Sequence, residues 1–398
     1  MPACLRGRVL GDDTARTESR YDGYMLVPGK LQAQFGESQA LNLVAAERRD
    51  RRLKTGDRRG QTAPITKKML DLLIIGAGPA GISAAWEAKK AGIQYLVVEK
   101  GLIGNTIYNY PVGLTVFSTP NELEFREGDL DPAREKPTRE ELLSYYVRFV
   151  IENDLNVNTE ETVLSVKRTS DGFQVRSDKG EYSAASLLFA SGAMDFPRKL
   201  DVPGEDLPKV SHHFRETYPW VRRNALVIGG GNSAGEAALF LADEGAETTL
   251  AIFREDWENT DPKQGCIKYW VKNPLEEQLQ KRCLKLFFLG KVLEIKEDKV
   301  VLESEDGRVC ELENDVVFVL IGSDADLTLL TSLGVETEEG KHGNVPVYDD
   351  DTFETNVPGI FVAGHFTRHR HIKPAIEAPR KIIPAVQARM KTTAAKAD

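Results

Sequence analysis

The sequence predicts an α/β protein of two parallel-sheet units, the second inserted into the first. Three observations carry this. Asp71-Leu72-Leu73-Ile74-Ile75 runs straight into Gly76-x-Gly78-x-x-Gly81, and a helical pattern from Ile82 to Ala91 follows. The same order recurs at Ala225-Leu226-Val227-Ile228, Gly229-Gly230-Gly231 and a helix to Asp243. Short alternating strands and further buried apolar runs follow each unit, more than either turn needs for its own sheet.

The bulk properties set the limits. A chain of 398 residues is too long for one ordinary core. No apolar run approaches the ~18–20 residues of a membrane helix. The net charge of −9 argues against nucleic acid as a partner. That charge is uneven: residues 1–68 carry +6 and the remainder −15. The first 68 residues lack periodicity and hold Arg48-Arg49-Asp50-Arg51-Arg52, so they read as a disordered extension before folding starts at Met69. Cys4, Cys266, Cys283 and Cys310 form no CxxC and have no zinc spacing, which fits a cytoplasmic protein without structural disulfides. No metal site is expected.

In the first unit, Gly76 permits the tight turn. Gly78 lets backbone approach a pyrophosphate at the positive end of the helix, and Gly81 lets helix and strand pack closely. Leu96-Val97-Val98 leads to Glu99, about twenty residues past the glycines, where an acid accepts hydrogen bonds from ribose hydroxyls. Gly101 to Pro120 has little strand or helix pattern and leaves the edge of the sheet where cofactors bind. Its Tyr108 and Tyr110 are placed to lie against a flat ring. Thr138-Arg139-Glu140-Glu141 is a capping box that opens a helix to about Asn153. Strands follow at 162–169 and 173–177. The buried run Ser186–Ala190 ends at Ser191-Gly192, small enough for backbone to pass close to a cofactor.

Asp201-Val202-Pro203-Gly204 reads as a linker into the second unit. There Thr248–Phe253 is followed by Arg254 rather than an acid. An arginine at that point suits a ribose 2′-phosphate. Strands are expected at 284–289, 292–295, 300–303 and 309–312, with a buried strand Val316–Ile321 ending at Gly322. Thr355–Gly364 is a turn, a buried strand and a glycine, and a final helix is expected from about Pro374 to Met390. His365 and His369 have i, i+4 spacing and would meet a metal only if helical.

Two dinucleotide sites in one chain are explained economically by electron transfer, one holding a flavin and the other delivering a hydride from nicotinamide. Here the residues resemble the two-dinucleotide-domain flavoproteins related to thioredoxin reductase, and most specifically the bacillithiol disulfide reductase family. The matching stretches are Glu99-Lys100-Gly101, Asn105–Pro111, Phe117-Ser118, Val202–Val210, Gly229–Ser233 and Glu354–Gly364. The resemblance implies two Rossmann-like (three-layer ββα) domains, with an NADPH domain at 201–322 inserted into an FAD domain formed by 69–200 and 323–398. It implies FAD, NADPH, a cytoplasmic homo-oligomer and a small-molecule or small-protein electron acceptor. The cofactor-binding residues are then Gly76, Gly78, Pro79, Ala80, Gly81, Glu99, Lys100, Asn105, Tyr108, Tyr110, Gly192 and Gly364 for FAD. For NADPH they are Gly229, Gly231, Asn232, Ser233, Arg254 and Gly322.

The chain departs from the families it resembles in places that bear on chemistry, among them His365 where many related flavoproteins have an Asp after the final Ala-Gly. Ala80 stands where the bacillithiol reductases place a cysteine, and there is no CxxC, so no catalytic residue is assigned. Cys266 is the best substitute thiol. The acceptor is therefore open between a bacillithiol-like disulfide and a ferredoxin, quinone or oxygen. A thioredoxin-reductase-like ferredoxin–NADP reductase, a flavin monooxygenase and a non-catalytic nucleotide sensor remain alternative readings.

Overall fold

The computed structural model describes residues 69–259, 261, 267–340 and 343–397. The proposed extension 1–68 and Cys266 lie outside them.

The first sheet grows from β1 (Leu70–Ile75), whose residues Leu72 to Ile74 are fully buried. Such a run, apolar on both faces, fits a strand covered on both sides. Helix α1 (Pro79–Lys90) leaves it through the glycine turn and returns the chain to β2 (Tyr95–Val98), parallel to β1. Pro79 takes the first helical position, where its missing N–H costs nothing, and Lys89 and Lys90 close the negative end. The stretch expected to be irregular holds two short helices, α2 (Asn105–Tyr108) and α3 (Pro120–Leu123). The expected capping box is formed: the Thr138 hydroxyl accepts from the Glu141 N–H, and Glu141 returns the bond to the Thr138 N–H, opening α4 (Arg139–Glu152).

The chain then adds β3 (Val157–Asn158), β4 (Val163–Arg168), β5 (Phe173–Ser177) and β6 (Glu181–Phe189). The sheet order is β3-β2-β1-β6-β5-β4. Strand β6 lies parallel to β1, and its first half pairs with β5 as a hairpin.

After β7 (Phe196–Pro197) and β8 (Val210–Ser211) the chain builds the second sheet. Strand β9 (Asn224–Ile228), helix α5 (Asn232–Asp243) and β10 (Glu247–Ile252) repeat the opening unit. Helices α6 (Arg254–Glu258) and α7 (Tyr269–Gln280) follow, then β11 (Leu284–Ile295), β12 (Lys299–Ser304), β13 (Val309–Glu313) and β14 (Val316–Val319). The order is β13-β12-β11-β10-β9-β14-β8. The two strands expected at 284–295 are one. Its start runs parallel to β10 and its end pairs antiparallel with β12, with register shifts on either side of Lys291 and Val292. Gly290 sits at this bend, where a Cβ would come 2.7 Å from the Ser304 carbonyl oxygen.

The chain returns to the first sheet. Strand β15 (Ser323–Asp324) pairs with β7, and Arg198 grips Asp324 at 2.7 Å across that crossing. Helix α8 (Thr328–Ser332) and the hairpin β16 (Thr337–Gly340) and β17 (Gly343–Pro346) precede β18 (Ile360–Val362). Strand β18 pairs with the second half of β6, so residues remote in sequence complete the first sheet. This is the expected insertion. The single final helix is corrected to two, α9 (Ile372–Glu377) and α10 (Pro379–Ala397). Pro379 has no N–H to continue the ladder, so it restarts a helix rather than extending one. Among the described residues no helix is long and apolar enough to cross a membrane.

Candidate cofactor site

Both glycine turns lie at the C-terminal edges of their sheets, beside a central strand flanked on both sides by parallel neighbours. This is the crevice where open α/β sheets hold ligands. In the first turn Gly76 adopts φ +110°, and a Cβ there would overlap the Ala190 carbonyl. A Cβ on Gly81 would overlap the carbonyl of Gly76, so that glycine lets α1 pack on the turn. Gly78 is different: nothing lies within 4 Å of where its Cβ would be. Its bare backbone opens into a cavity of about 360 Å³.

The expected residues Gly76, Gly78, Pro79, Ala80, Glu99 and Lys100 line this cavity. From other elements Asn105, Tyr110, Gly192 and Gly364 join them. Gly192 has open space at its Cβ position, and Ala80 approaches that of Gly364 at 3.5 Å. The walls between are apolar, with Ile75, Val98, Ile107 and Phe189.

Glu99 ends β2 with a buried carboxylate that accepts the Ala77 N–H and the Gly101 N–H, each at 2.7 Å. Burial raises its pKa, and the two N–H groups act against that rise. The carboxylate thus clamps the turn while bordering the cavity. Lys100 beside it pairs with Asp195 at 2.8 Å.

Tyr108 is not among the lining residues. The guanidinium groups of Arg215 and Arg139 lie over its ring, at 4.4 and 5.5 Å from the centroid. The physical reason is α2 itself: one helical turn sends Asn105, Thr106 and Ile107 to the cavity, and Tyr108 leaves on another side. Glu236 from α5 was not singled out from sequence. Its carboxyl is pushed up to about 7 by burial, and the Tyr110 phenol is raised by its own burial and then by the Glu236 charge.

His365 and His371 line the cavity, whereas His369 packs against Phe353 at 5.9 Å. The 365–369 stretch is not helical, so the spacing that would pair two of these histidines is lost. Among the described residues no cluster suits a metal ion. Ala80 is buried, and no described cysteine lines the cavity: Cys283 lies just before β11 and Cys310 is in β13.

In the second unit, Gly229 has φ +150° and its Cβ would overlap the Leu320 carbonyl, while Gly231 is open. Helix α5 starts at Asn232, whose side-chain oxygen accepts the Lys268 N–H at 2.8 Å, and Ser233 is exposed beside it. Arg254 stands beyond the end of β10, next to this turn in the sheet. Its guanidinium binds Glu305 (Nε–O 2.6 Å) and Glu258 (3.2 Å) and lies 3.8 Å over the Phe288 ring. Gly322 has φ +98°, and its carbonyl accepts the Arg198 N–H at 2.9 Å, so it serves the crossing between the sheets.

Two glycine turns on two sheets, with a cavity at the first, match known proteins closely. Residues 73–364 match the family described as pyridine nucleotide-disulphide oxidoreductase. The chain belongs to that family. It is 36% identical over 293 residues to Bacilliredoxin reductase Bdr of Bacillus subtilis (strain 168), covering 73% of this chain and 88% of that protein. Bacillithiol Disulfide Reductase Bdr from Staphylococcus aureus superposes with a TM-score of 0.76 at 32% identity, covering 81% of this chain and 99% of its own. A Ferredoxin--NADP reductase of Ignicoccus hospitalis is 28% identical over 326 residues, covering 80% and 93%. The chain is thus a flavin- and pyridine-nucleotide-dependent oxidoreductase of the thioredoxin-reductase-like class.

Proposed function

We propose that this chain is an FAD-dependent reductase that oxidises NADPH and reduces a small disulfide of the bacillithiol-disulfide type. The observation that carries the reading is the cavity at the first glycine turn, beside the buried Glu99 carboxylate and facing the bare backbones of Gly78 and Gly192. Side chains on either glycine would take up space that a dinucleotide needs. FAD in this cavity would supply two-electron chemistry between nicotinamide and acceptor.

The chain's own residues bind, orient and shield. Glu99 would accept from the adenosine ribose hydroxyls while its two backbone bonds hold it still. Gly76, Pro79, Ala80 and Gly81 would shape the helix start for the pyrophosphate, and Lys100, Asn105 and Gly364, which line the same cavity, would border the cofactor. Tyr110 and the apolar wall of the cavity would exclude water from a flavin ring held there. In the second unit the turn at Gly229–Ser233 would receive the nicotinamide nucleotide. Arg254 would exchange a carboxylate partner for the 2′-phosphate. The balanced reaction is NADPH + H⁺ + RSSR to NADP⁺ + 2 RSH.

Ala80 favours a second reading, in which reducing equivalents go to a ferredoxin with no protein thiol involved. The likeness to the Ignicoccus ferredoxin reductase supports it. Anaerobic mixing decides between them. Protein bleached by NADPH and reoxidised by bacillithiol disulfide supports the first reading. Reoxidation by ferredoxin but not by the disulfide overturns it, and protein that takes up no FAD removes both.

A further inference from the structure

Arg215 belongs to the segment after β8, yet its carbonyl accepts the Val112 N–H at 2.8 Å, fixing it against the loop that follows α2. Its guanidinium lies 4.4 Å over the Tyr108 ring and holds the phenol's pKa below its usual value. Arg139 approaches the same ring at 5.5 Å. Arg139 is 7% exposed; it donates to the Tyr108 carbonyl and to Glu140, each at 2.6 Å, and its buried Nε has no partner. Among the described residues Arg215 has no carboxylate partner.

Two guanidinium groups lie over one ring and, among the described residues, only Arg139 has a carboxylate partner, Glu140, so Arg215 leaves an unpaired positive charge there on a chain of net charge −9. A guanidinium over an aromatic face carries five N–H donors, and those of Arg215 that the ring does not engage can receive a carboxylate. The position is informative too. Tyr108 adjoins Ile107 and stands two residues from Tyr110, and both of those line the cofactor cavity. The phosphates of the nucleotides have their own donors at the two glycine turns and Arg254. An acceptor approaching the cavity does not.

We infer that Arg139, Tyr108 and Arg215 form an anion-binding site that holds a carboxylate of the disulfide acceptor beside the flavin cavity. The inference rests on the disulfide-reductase reading and is tested apart from it. The probes are 3,3′-dithiodipropionate, a dicarboxylate disulfide, its neutral diamide, and 3,3′-thiodipropionate, which cannot be reduced. With the FAD-loaded full chain, Arg215→Met should lower the preference in kcat/KM for the dicarboxylate over the diamide about tenfold, and Arg215→Lys by less. Calorimetry on the oxidised enzyme without nucleotide should show thiodipropionate binding that weakens about tenfold in the same variant. An unchanged preference overturns the inference, as does a change confined to the KM for NADPH, which would assign the site to a nucleotide phosphate. If neither disulfide is reduced, the disulfide reading fails. Calorimetry then still judges the anion site: binding lost in Arg215→Met supports it, and binding absent or unchanged overturns it.

Discussion

The carboxylate of Glu99 accepts the backbone N–H of Ala77 at 2.7 Å, tying the end of β2 to the glycine turn after β1. With the bond from the Gly101 N–H it fixes both loops that border the cavity. Glu99→Ala leaves the buried Ala77 N–H unpaired, costing about 1–3 kcal/mol, and the half-buried Gly101 N–H, costing less. The expected outcome is a lower melting temperature and a loss of bound flavin, read from the flavin-to-protein absorbance ratio. Glu99→Gln keeps one acceptor oxygen and should lose less of both.

Gly78 and Gly81 separate binding from folding. Gly78 has φ −78° and free space at its Cβ position, so Gly78→Ala should change stability by no more than about 0.5 kcal/mol while lowering flavin affinity. Gly81→Ala drives a methyl into the Gly76 carbonyl and should yield little folded protein. Thermal melts with flavin titration check the pair. Equal stability loss in both variants would contradict the assignment.

The Arg254 guanidinium is shared between Glu305 and Glu258. Arg254→Ala should raise the KM for NADPH about tenfold and leave that for NADH nearly unchanged. Glu305→Gln weakens the competing partner and should lower the KM for NADPH. Steady-state kinetics with both nucleotides test this; equal effects on the two would refute a 2′-phosphate role.

Glu236 gives a pH signature. Burial raises its carboxyl from 4.5 to about 7, so the folded state holds a proton that the unfolded state releases earlier. Its contribution to stability is therefore present below pH 4.5, falls between 4.5 and about 7, and stays lost above. Glu236→Gln should match the parent protein in relative stability at the acid end and exceed it by about 1–3 kcal/mol above pH 7. Denaturant melts across this range measure the difference.

The sequence alone determined the two glycine turns, the strands entering them, Glu99 and the Thr138 capping box. These are local demands: a positive φ, a carbonyl at the position of a missing Cβ, or an acid at a strand end is written in residue type and spacing. Elements that depend on partners were less legible. The two strands expected at 284–295 are one because both halves of β11 find neighbours, β10 and then β12. Tertiary structure alone decided which side chains meet. Tyr108 reads from the sequence as a ring-stacking cofactor residue, yet packing places it against Arg139 and Arg215 from distant parts of the chain. It likewise placed His365 and His371 at the cavity and Glu236 near Tyr110. Such meetings depend on how sheets and helices pack, and no spacing within a single segment encodes them.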